Sequence, residues 1–275
     1  MTRAARPAGT VAALAALAAL AVPAPGAEAA TIRMSGQQIT QVLVADLAYF
    51  YRHETRRPPL FELTGGGTGA GIADTVRGIS DAALVSRELG PDDPPGLRLT
   101  KLAVSGVCLA SHHTNPVPSM SRALLQEIVA GRVASWTRVP GSTRTDAIIP
   151  VTLDPGTGAA RVFEQVFVDD TTPVAWQAST LLTSLQARDH VARTPAAFAY
   201  LDLAFTDPVH PIAFEGVPCT RTTIRDGSYP ASRPIGVVTA GRPKRALRRF
   251  LRWARTDRTA RRVIATRYIP IGRAG

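Results

Sequence analysis

The sequence has 275 residues, of which 45% are hydrophobic, 19% charged and 6% aromatic. This composition is ordinary for a globular protein and excludes a disordered, collagen-like or multi-span membrane chain. The 32 Lys and Arg residues outnumber the 21 Asp and Glu residues, which gives a net charge of +11. Residues 242–273 contain 12 basic residues and one acidic residue, so this segment carries the whole excess and the remaining chain is neutral.

The first thirty residues have the pattern of a secretory signal peptide. Arg3 and Arg6 give a positive start, residues 11–22 form an apolar run, and Ala27-Glu28-Ala29 is a small-x-small cleavage site. The apolar run is shorter than the roughly 20 residues that span a bilayer, which argues against a membrane anchor. The sequence therefore predicts an exported protein, periplasmic or extracellular in the cell envelope, with residues 1–30 as its signal peptide.

The predicted elements of the mature chain alternate between strands and helices, as is typical of an α/β protein. In chain order they are a strand over 31–34, a helix over 37–51, a strand over 60–63, a helix over 72–77, and strands over 81–86 and 102–110. A helix over 121–129, a strand over 148–153, a helix over 159–167, strands over 196–201 and 234–239, a basic helix over 242–266 and a strand over 268–271 follow.

Three strand-to-helix junctions are rich in glycine and polar residues. They are Ser35-Gly36-Gln37-Gln38, the cluster over residues 65–71, and Gly156-Thr157-Gly158. A helix N-terminus has unpaired N–H groups and partial positive charge, and glycine lets the backbone approach a ligand closely. A single glycine turn is usually plain turn chemistry, so each junction alone is weak evidence. Three in one chain favour an anion site.

Other functional motifs are missing from the sequence. It contains no P-loop, no Gly-x-Ser-x-Gly nucleophile elbow and no H-E-x-x-H zinc motif, and His112-His113 lacks metal-ligand spacing. An enzyme would need a nucleophile with a base, or a metal cluster, and neither is present at recognisable spacing. A nucleic-acid-binding protein would need a reading motif, and export argues against it. We therefore expect no enzyme, no cofactor, no metal and no nucleic-acid partner.

The two cysteines, Cys108 and Cys219, have no other thiol to pair with. In an oxidising compartment such a pair is more often a disulfide than two free thiols. The sequence therefore predicts a bridge between them.

The order of these motifs resembles the phosphate-binding proteins of ABC importers, which have the type II periplasmic binding protein fold. The most specific stretch is GGGTGAGIADTVRGISDAALVSREL, residues 65–89, and further similar stretches cover 102–136, 195–205, 226–241 and 267–271. The resemblance implies an α/β protein of two lobes with a ligand cleft between them. Lobe one would comprise 31–110 and 235–275, lobe two 111–234, and the predicted disulfide would lie near the two strands that cross between the lobes.

The resemblance also implies a set of anion-binding residues. They would be Gly36, Gln37, Gln38, Gly67, Thr68, Gly69, Ser86, Arg87, Gly156, Thr157 and Gly158. The sequence departs from the family pattern at Gln37 and Gln38, where the family has Ser or Thr, at Ala159, which lacks a hydroxyl, and at Leu153, which replaces an Arg. A hydrogen bond to a charged group is worth about 1.5–3 kcal/mol, so these losses lower the expected affinity by two or more decades.

The function implied by the resemblance is that of a monomeric, exported solute-binding protein, which delivers inorganic phosphate or a similar oxyanion to an ABC permease in the membrane. Three outcomes are open for the ligand: phosphate bound through the remaining groups, a different anion, or no tight binding. In the last of these the chain would be a scaffold or sensor that keeps the fold. The C-terminal arginines are expected to form the solvated face of their helix, with a salt-sensitive attraction to anionic polymers or lipid head groups.

Overall fold

The computed structural model describes residues 1–2, 29–169 and 171–271. Residues 3–28 of the predicted signal peptide lie outside the described residues, so that feature stays a prediction. None of the described helices is long and apolar enough to cross a bilayer.

The described residues form a mixed α/β structure. Its strands are β1 (Thr31–Gly36), β2 (Leu60–Thr64), β3 (Ala82–Val85), β4 (Leu97–Ser111), β5 (Ser119–Met120), β6 (Ile149–Leu153), β7 (Ser179–Leu181), β8 (Ala197–Asp202), β9 (His210–Phe214), β10 (Ser232–Ala240) and β11 (Ile269–Pro270). Its helices are α1 (Gln38–Glu54), α2 (Gly67–Val76), α3 (Arg122–Val129), α4 (Gly158–Val162), α5 (Ser184–Arg193), α6 (Arg221–Arg225), α7 (Arg245–Thr256) and α8 (Arg258–Arg267).

One curled sheet runs through the whole structure in the order β2-β1-β3-β10-β4-β8-β6-β7. The long strand β4 belongs to both ends of it. Residues 97–106 of β4 pair antiparallel with β10, whereas residues 107–111 pair antiparallel with β8. The two ends of the sheet are therefore joined through a single continuous strand.

Two large hydrophobic cores lie on either side of this join. The first core packs α1, α7 and α8 against β1, β3 and β10, and includes Leu43, Leu84, Ile235 and Phe250. The second core surrounds β6 and β8 and includes Trp136, Phe167, Phe198 and Tyr200. Each core has its own buried aromatic residues, so each lobe of the fold can be held together by its own packing.

The predicted disulfide between Cys108 and Cys219 is confirmed. Their Cα atoms are 5.6 Å apart, within the range of a disulfide, and 111 residues separate them in the chain. Both cysteines are buried in the second core, where Cys108 lies on β4 opposite Leu201 of β8. The bridge therefore connects the crossing strand β4 to the segment that precedes α6.

Three helix predictions differ from the structure. The predicted helix over 159–167 is α-helical only over α4 and continues as a π-helix over Phe163–Val168. Helix α2 begins at Gly67, inside the glycine cluster, and not at Ile72. The predicted basic helix over 242–266 is two helices, because the backbone of Asp257 is extended and its carboxylate accepts the N–H of Thr259 at 2.7 Å as the N-cap of α8. An aspartate in that role starts a helix, so the apolar spacing across 257 misled the sequence interpretation.

Candidate functional site

The three glycine-containing junctions meet where the two lobes face each other. Helices α1 and α2 follow β1 and β2, and α4 follows β6. A Cβ atom on Gly67 would lie 3.0 Å from the carbonyl oxygen of Gly156, so the second and third junctions are in direct contact. A cavity of about 370 Å³ beside them is lined by residues of all three junctions, among them Gln37, Gly67 and Thr157.

The first junction ends β1 and begins α1. Gly36 has a φ of +138° and lies against the backbone of Leu84, which leaves no room for a side chain. The N–H of Gln37 donates to the Leu84 carbonyl at 2.8 Å. The Gln37 side chain is buried, and its Oε1 atom has no hydrogen-bond partner among the described residues, whereas Gln38 is exposed. Gln37 therefore leaves an acceptor available at the junction.

The second junction begins α2. Gly66 and Gly67 have φ angles of +130° and +81°, which only glycine adopts readily, and space is open beside Gly69. Thr68 is buried, and its Oγ1 accepts the N–H of Ser86 at 3.4 Å. The junction therefore lies directly beside the end of β3.

The third junction begins α4. The carboxylate of Asp154 accepts the N–H of Gly156 at 2.8 Å, and the Thr157 hydroxyl caps the helix by accepting the N–H of Ala160 at 3.1 Å. Gly158 lies against the Ser86 hydroxyl and the guanidinium of Arg233, so that a side chain at this position would collide with both. The absence of a side chain at 158 is what allows the two lobes to meet here.

A buried ion pair lies at the same place. Arg233, at the start of β10, is only 3% exposed and donates from Nη1 to the Ser86 hydroxyl at 3.0 Å and from Nη2 to the carboxylate of Asp202. Asp202 ends β8 and also accepts from the hydroxyl of Ser184 at 2.8 Å. The Nε donor of this guanidinium has no acceptor among the described residues.

We call this group of polar residues the cradle. It consists of Gln37, Thr68, Ser86, Thr157, Gly158 and Arg233. The N-terminal turns of α1 and α2 add N–H groups without intrahelical acceptors and the positive end of each helix dipole. The N–H, hydroxyl and guanidinium donors together form an environment that suits an oxyanion, whereas the Oε1 atom of Gln37 can accept only from a protonated oxygen of that anion. Among the described residues, no group of three potential ligands could hold a metal ion.

The structure places Arg87 outside the cradle. Its guanidinium binds the carboxylate of Asp93 through two contacts, at 2.5 and 2.7 Å, and also donates to the carbonyl of Glu88. The hydrogen bond from Arg87 holds the pKa of Asp93 below its usual range, and the hydrogen bond to Asp93 raises the pKa of Arg87. The guanidinium of the cradle therefore comes from Arg233 and not from Arg87.

Sequence reasoning missed Arg233 and Asp202. Both carried a signal, because each is a charged residue at one end of an otherwise apolar strand: Arg233 opens RPIGVV and Asp202 ends AFAYLD. A charge in such a position is buried by the strand that contains it and must find a partner. The partner could not be named from the sequence, since β8 and β10 lie on opposite sides of β4 in the sheet.

Fold and site together define a class: a two-lobed binding protein with polar groups of both lobes at their junction. The chain belongs to the family described as PBP superfamily domain, whose match covers residues 21–258. The two-lobed periplasmic binding fold expected from the sequence is thereby confirmed.

Several known proteins are similar to this chain over most of their length. Phosphate-binding protein PstS of Bacillus subtilis is 23% identical over 247 residues, which cover 88% of this chain and 81% of that protein. An ABC-type phosphate transport receptor from Vibrio cholerae superposes with a TM-score of 0.73 at 22% identity, over 88% of this chain and 100% of the other. A putative phosphate ABC transporter substrate-binding protein with bound phosphate, from Clostridium perfringens, gives a TM-score of 0.77 at 20% identity with the same coverage.

Proposed function

We propose that this protein is an exported solute-binding protein of an ABC importer, which captures inorganic phosphate or a similar oxyanion at the cradle. It acts as a monomer, without cofactor and without covalent chemistry, and delivers the anion to a permease in the membrane. The phosphate-binding and phosphate-transport roles of the similar proteins from B. subtilis, V. cholerae and C. perfringens support this assignment.

The observation that carries the proposal is the buried guanidinium of Arg233 at the junction of the lobes. Burying a charge is costly, and this guanidinium, held by one carboxylate and one hydroxyl, still has an Nε donor without an acceptor among the described residues. An oxyanion at the cradle would accept from this donor and from N–H groups of the helix N-termini. A guanidinium is thus available at the junction although position 153 carries leucine, and this argues against the scaffold alternative.

Site residues are proposed from both lobes. From the first lobe they are Gly36, Gln37, Gln38, Gly67, Thr68, Gly69 and Ser86, and from the second Gly156, Thr157, Gly158 and Arg233. Arg87 belongs to the set that the resemblance implies, and we assign it the indirect role of fixing the chain after Ser86 through its pair with Asp93.

Closure of the lobes is the proposed mechanism. The first lobe would comprise 31–110 and 235–275 and the second 111–234, with the crossing at β4 and at the start of β10. An anion held by donors of both lobes favours the closed arrangement by the difference between its affinities for the closed and open states. The Cys108–Cys219 bridge would reinforce the crossing strand in the oxidising environment that an exported protein meets.

Isothermal titration with phosphate, sulfate and other oxyanions tests the proposal. We expect phosphate to bind, and a concentration 100 times the Kd to add about 2.7 kcal/mol to the free energy of unfolding. Replacement of Ser86 by Ala should weaken binding about ten- to a hundredfold, because a hydrogen bond within the charged network is lost.

The matched control is Ser80→Ala, which removes a buried hydroxyl just before the opposite end of the same strand, where it contacts Ser35 and Thr75. This variant should bind phosphate as the parent does. The proposal fails if neither titration nor a thermal shift detects any oxyanion. Equal losses of phosphate affinity in both serine variants would show that the cradle is not the binding site.

A further inference from the structure

A second cavity opens beside the cradle, and the cradle does not account for it. Its volume is about 450 Å³, and residues of both lobes line it. Gln37 and Thr157 of the cradle form part of its wall, as does Asp202, the partner of Arg233. We call this space the side chamber.

The side chamber is much larger than a bare phosphate ion. One water molecule takes up about 30 Å³ of liquid, so a five-atom oxyanion occupies on the order of 100 Å³ or less. Pockets for small organic ligands have volumes of roughly 300–1,000 Å³. The chamber therefore has room for an organic group next to the cavity of the three junctions.

Half of the residues that line the chamber are apolar, and its two arginines, Arg188 and Arg267, are each paired with a carboxylate outside it. The apolar side chains around it are Ile39, Val42, Leu153, Ala159, Ala204 and Phe205. Leu153 and Ala159 are each 2% exposed and lie on either side of the third junction, so the apolar wall begins where the cradle ends. The carboxylate of Asp202 is already paired with Arg233, and for this reason it does not oppose an uncharged substituent in the chamber.

Two solvent-exposed leucines lie at the rim of the chamber. Leu182 is 66% exposed and Leu185 is 42% exposed, and both belong to the chamber lining. Exposed apolar residues that gather at a cavity, and not singly across the surface, mark a binding surface. An apolar group that entered the chamber would remove their side chains from water.

We propose that the side chamber holds the organic substituent of a monoalkyl or monoaryl phosphate whose phosphoryl group occupies the cradle. This inference rests on the proposed function and narrows its ligand class. The phosphoryl oxygens accept from the helix N-termini at the three junctions, and the ester carbon points past Thr157, which lines both cavities, toward the apolar side chains of the chamber. A monoester keeps the oxyanion that the cradle binds and adds the apolar surface that the chamber matches.

A series of esters with equal charge tests the chamber directly. Inorganic phosphate, methyl phosphate, n-butyl phosphate and phenyl phosphate are titrated into the full mature protein. Each methylene removed from water contributes about a fourfold gain in affinity. Allowing for partial burial, we expect n-butyl phosphate to bind about tenfold more tightly than methyl phosphate, and phenyl phosphate to show a similar gain.

Filling the chamber should erase this gain. Val42 is half-buried on α1 and lines the chamber, so Val42→Trp places an indole in the space without reaching the cradle. The matched control is Ile79→Trp, at a position that is 58% exposed and outside the chamber lining. We expect the tenfold ratio to fall to about one in Val42→Trp and to persist in Ile79→Trp.

The outcomes separate this inference from the proposed function. If inorganic phosphate binds and the longer esters bind equally or more weakly, the side chamber does not hold an organic substituent, and the proposed function is unaffected. Failure of every ligand, inorganic phosphate included, overturns the proposed function. The ester series on the parent protein decides the question even if Val42→Trp does not fold.

Discussion

Arg233 is buried between the lobes, whereas the arginines of α7 and α8 are in contact with solvent. Arg233 is 3% exposed and lies against Asp202 and Ser86 between the lobes. The arginines of the two helices are largely exposed, and no ion pair is found within the described residues for Arg249, Arg252 or Arg255. The nine arginines of the two helices account for most of the net charge of +11, yet the chemistry of the cradle depends on Arg233.

The difference shows that the surroundings of a charge matter more than the number of charges. A surface ion pair contributes at most about 1 kcal/mol, because water and salt screen it. A buried charge that loses its partner costs about 3–5 kcal/mol. The apolar residues of α7, Leu247, Phe250, Leu251 and Ala254, face the first core, so its arginines are directed to solvent by amphipathic packing.

The largest effect is expected for Arg233. Arg233→Ala leaves Asp202 buried with only Ser184 as a partner, so the free energy of unfolding should fall by about 3–5 kcal/mol and phosphate binding should be lost. Urea unfolding and isothermal titration measure the two effects.

A double variant separates the two roles of Arg233. Arg233→Met with Asp202→Asn removes both charges, and most of the lost stability should return, because no unpaired charge remains buried. Phosphate binding should stay lost. If the double variant binds phosphate as tightly as the parent, Arg233 is structural only and the comparison between the two groups of arginines collapses.

An intermediate effect is expected for Arg87, which is partly exposed. Arg87→Gln removes the pair with Asp93 and should cost about 1 kcal/mol of stability at neutral pH, discounted for its contact with solvent. Because Arg87 lowers the pKa of Asp93 in the folded state, its contribution is present above the usual carboxyl pKa and is lost as the pH falls through the lowered one. Unfolding curves of parent and variant should therefore converge in acid.

Phosphate affinity adds a second readout for this variant. The guanidinium of Arg87 binds Asp93 and lies outside the cradle, so Arg87→Gln should change the Kd for phosphate by less than about tenfold. A loss as large as that of Arg233→Ala would show that Arg87 turns into the cleft when the anion binds.

The contrast between Arg87 and Arg233 also shows how far the sequence can lead. Glycine and hydroxyl patterns predicted the three junctions, because turns and helix starts are local and depend on neighbouring residues. The resemblance pointed to Ser86, which does lie at the junction. Arg233 could not be assigned in this way, since its partners are 31 and 147 residues away in the chain and meet it only through the order of strands around β4.

The helices and strands were also predictable from the sequence only in part. Strands with continuous apolar runs, such as β3 and β8, were predicted close to their observed bounds because burial fixes both their faces. The helix α5 was missed, since its segment SLQARDHVAR has only two buried apolar residues, Ala187 and Val191. Its position matters to the cleft, because Ser184 in its first turn holds Asp202.

The smallest effect is expected for the exposed arginines. Replacement of Arg249, Arg252 and Arg255 by Gln removes three charges from one face of α7, yet the free energy of unfolding should change by less than about 0.5 kcal/mol, because surface substitutions that break no contact rarely do more. At physiological salt, where the Debye length is about 8 Å, their field is screened before it reaches the cradle, so the phosphate Kd should change less than about twofold. Lowering the salt should enlarge the difference slightly, since distant charges then attract the anion over a longer range. Titration at two ionic strengths measures both values. A loss of phosphate binding comparable to that of Arg233→Ala, at either ionic strength, would mean that the basic face takes part in capture. Burial would then not distinguish the role of Arg233 from that of the exposed arginines.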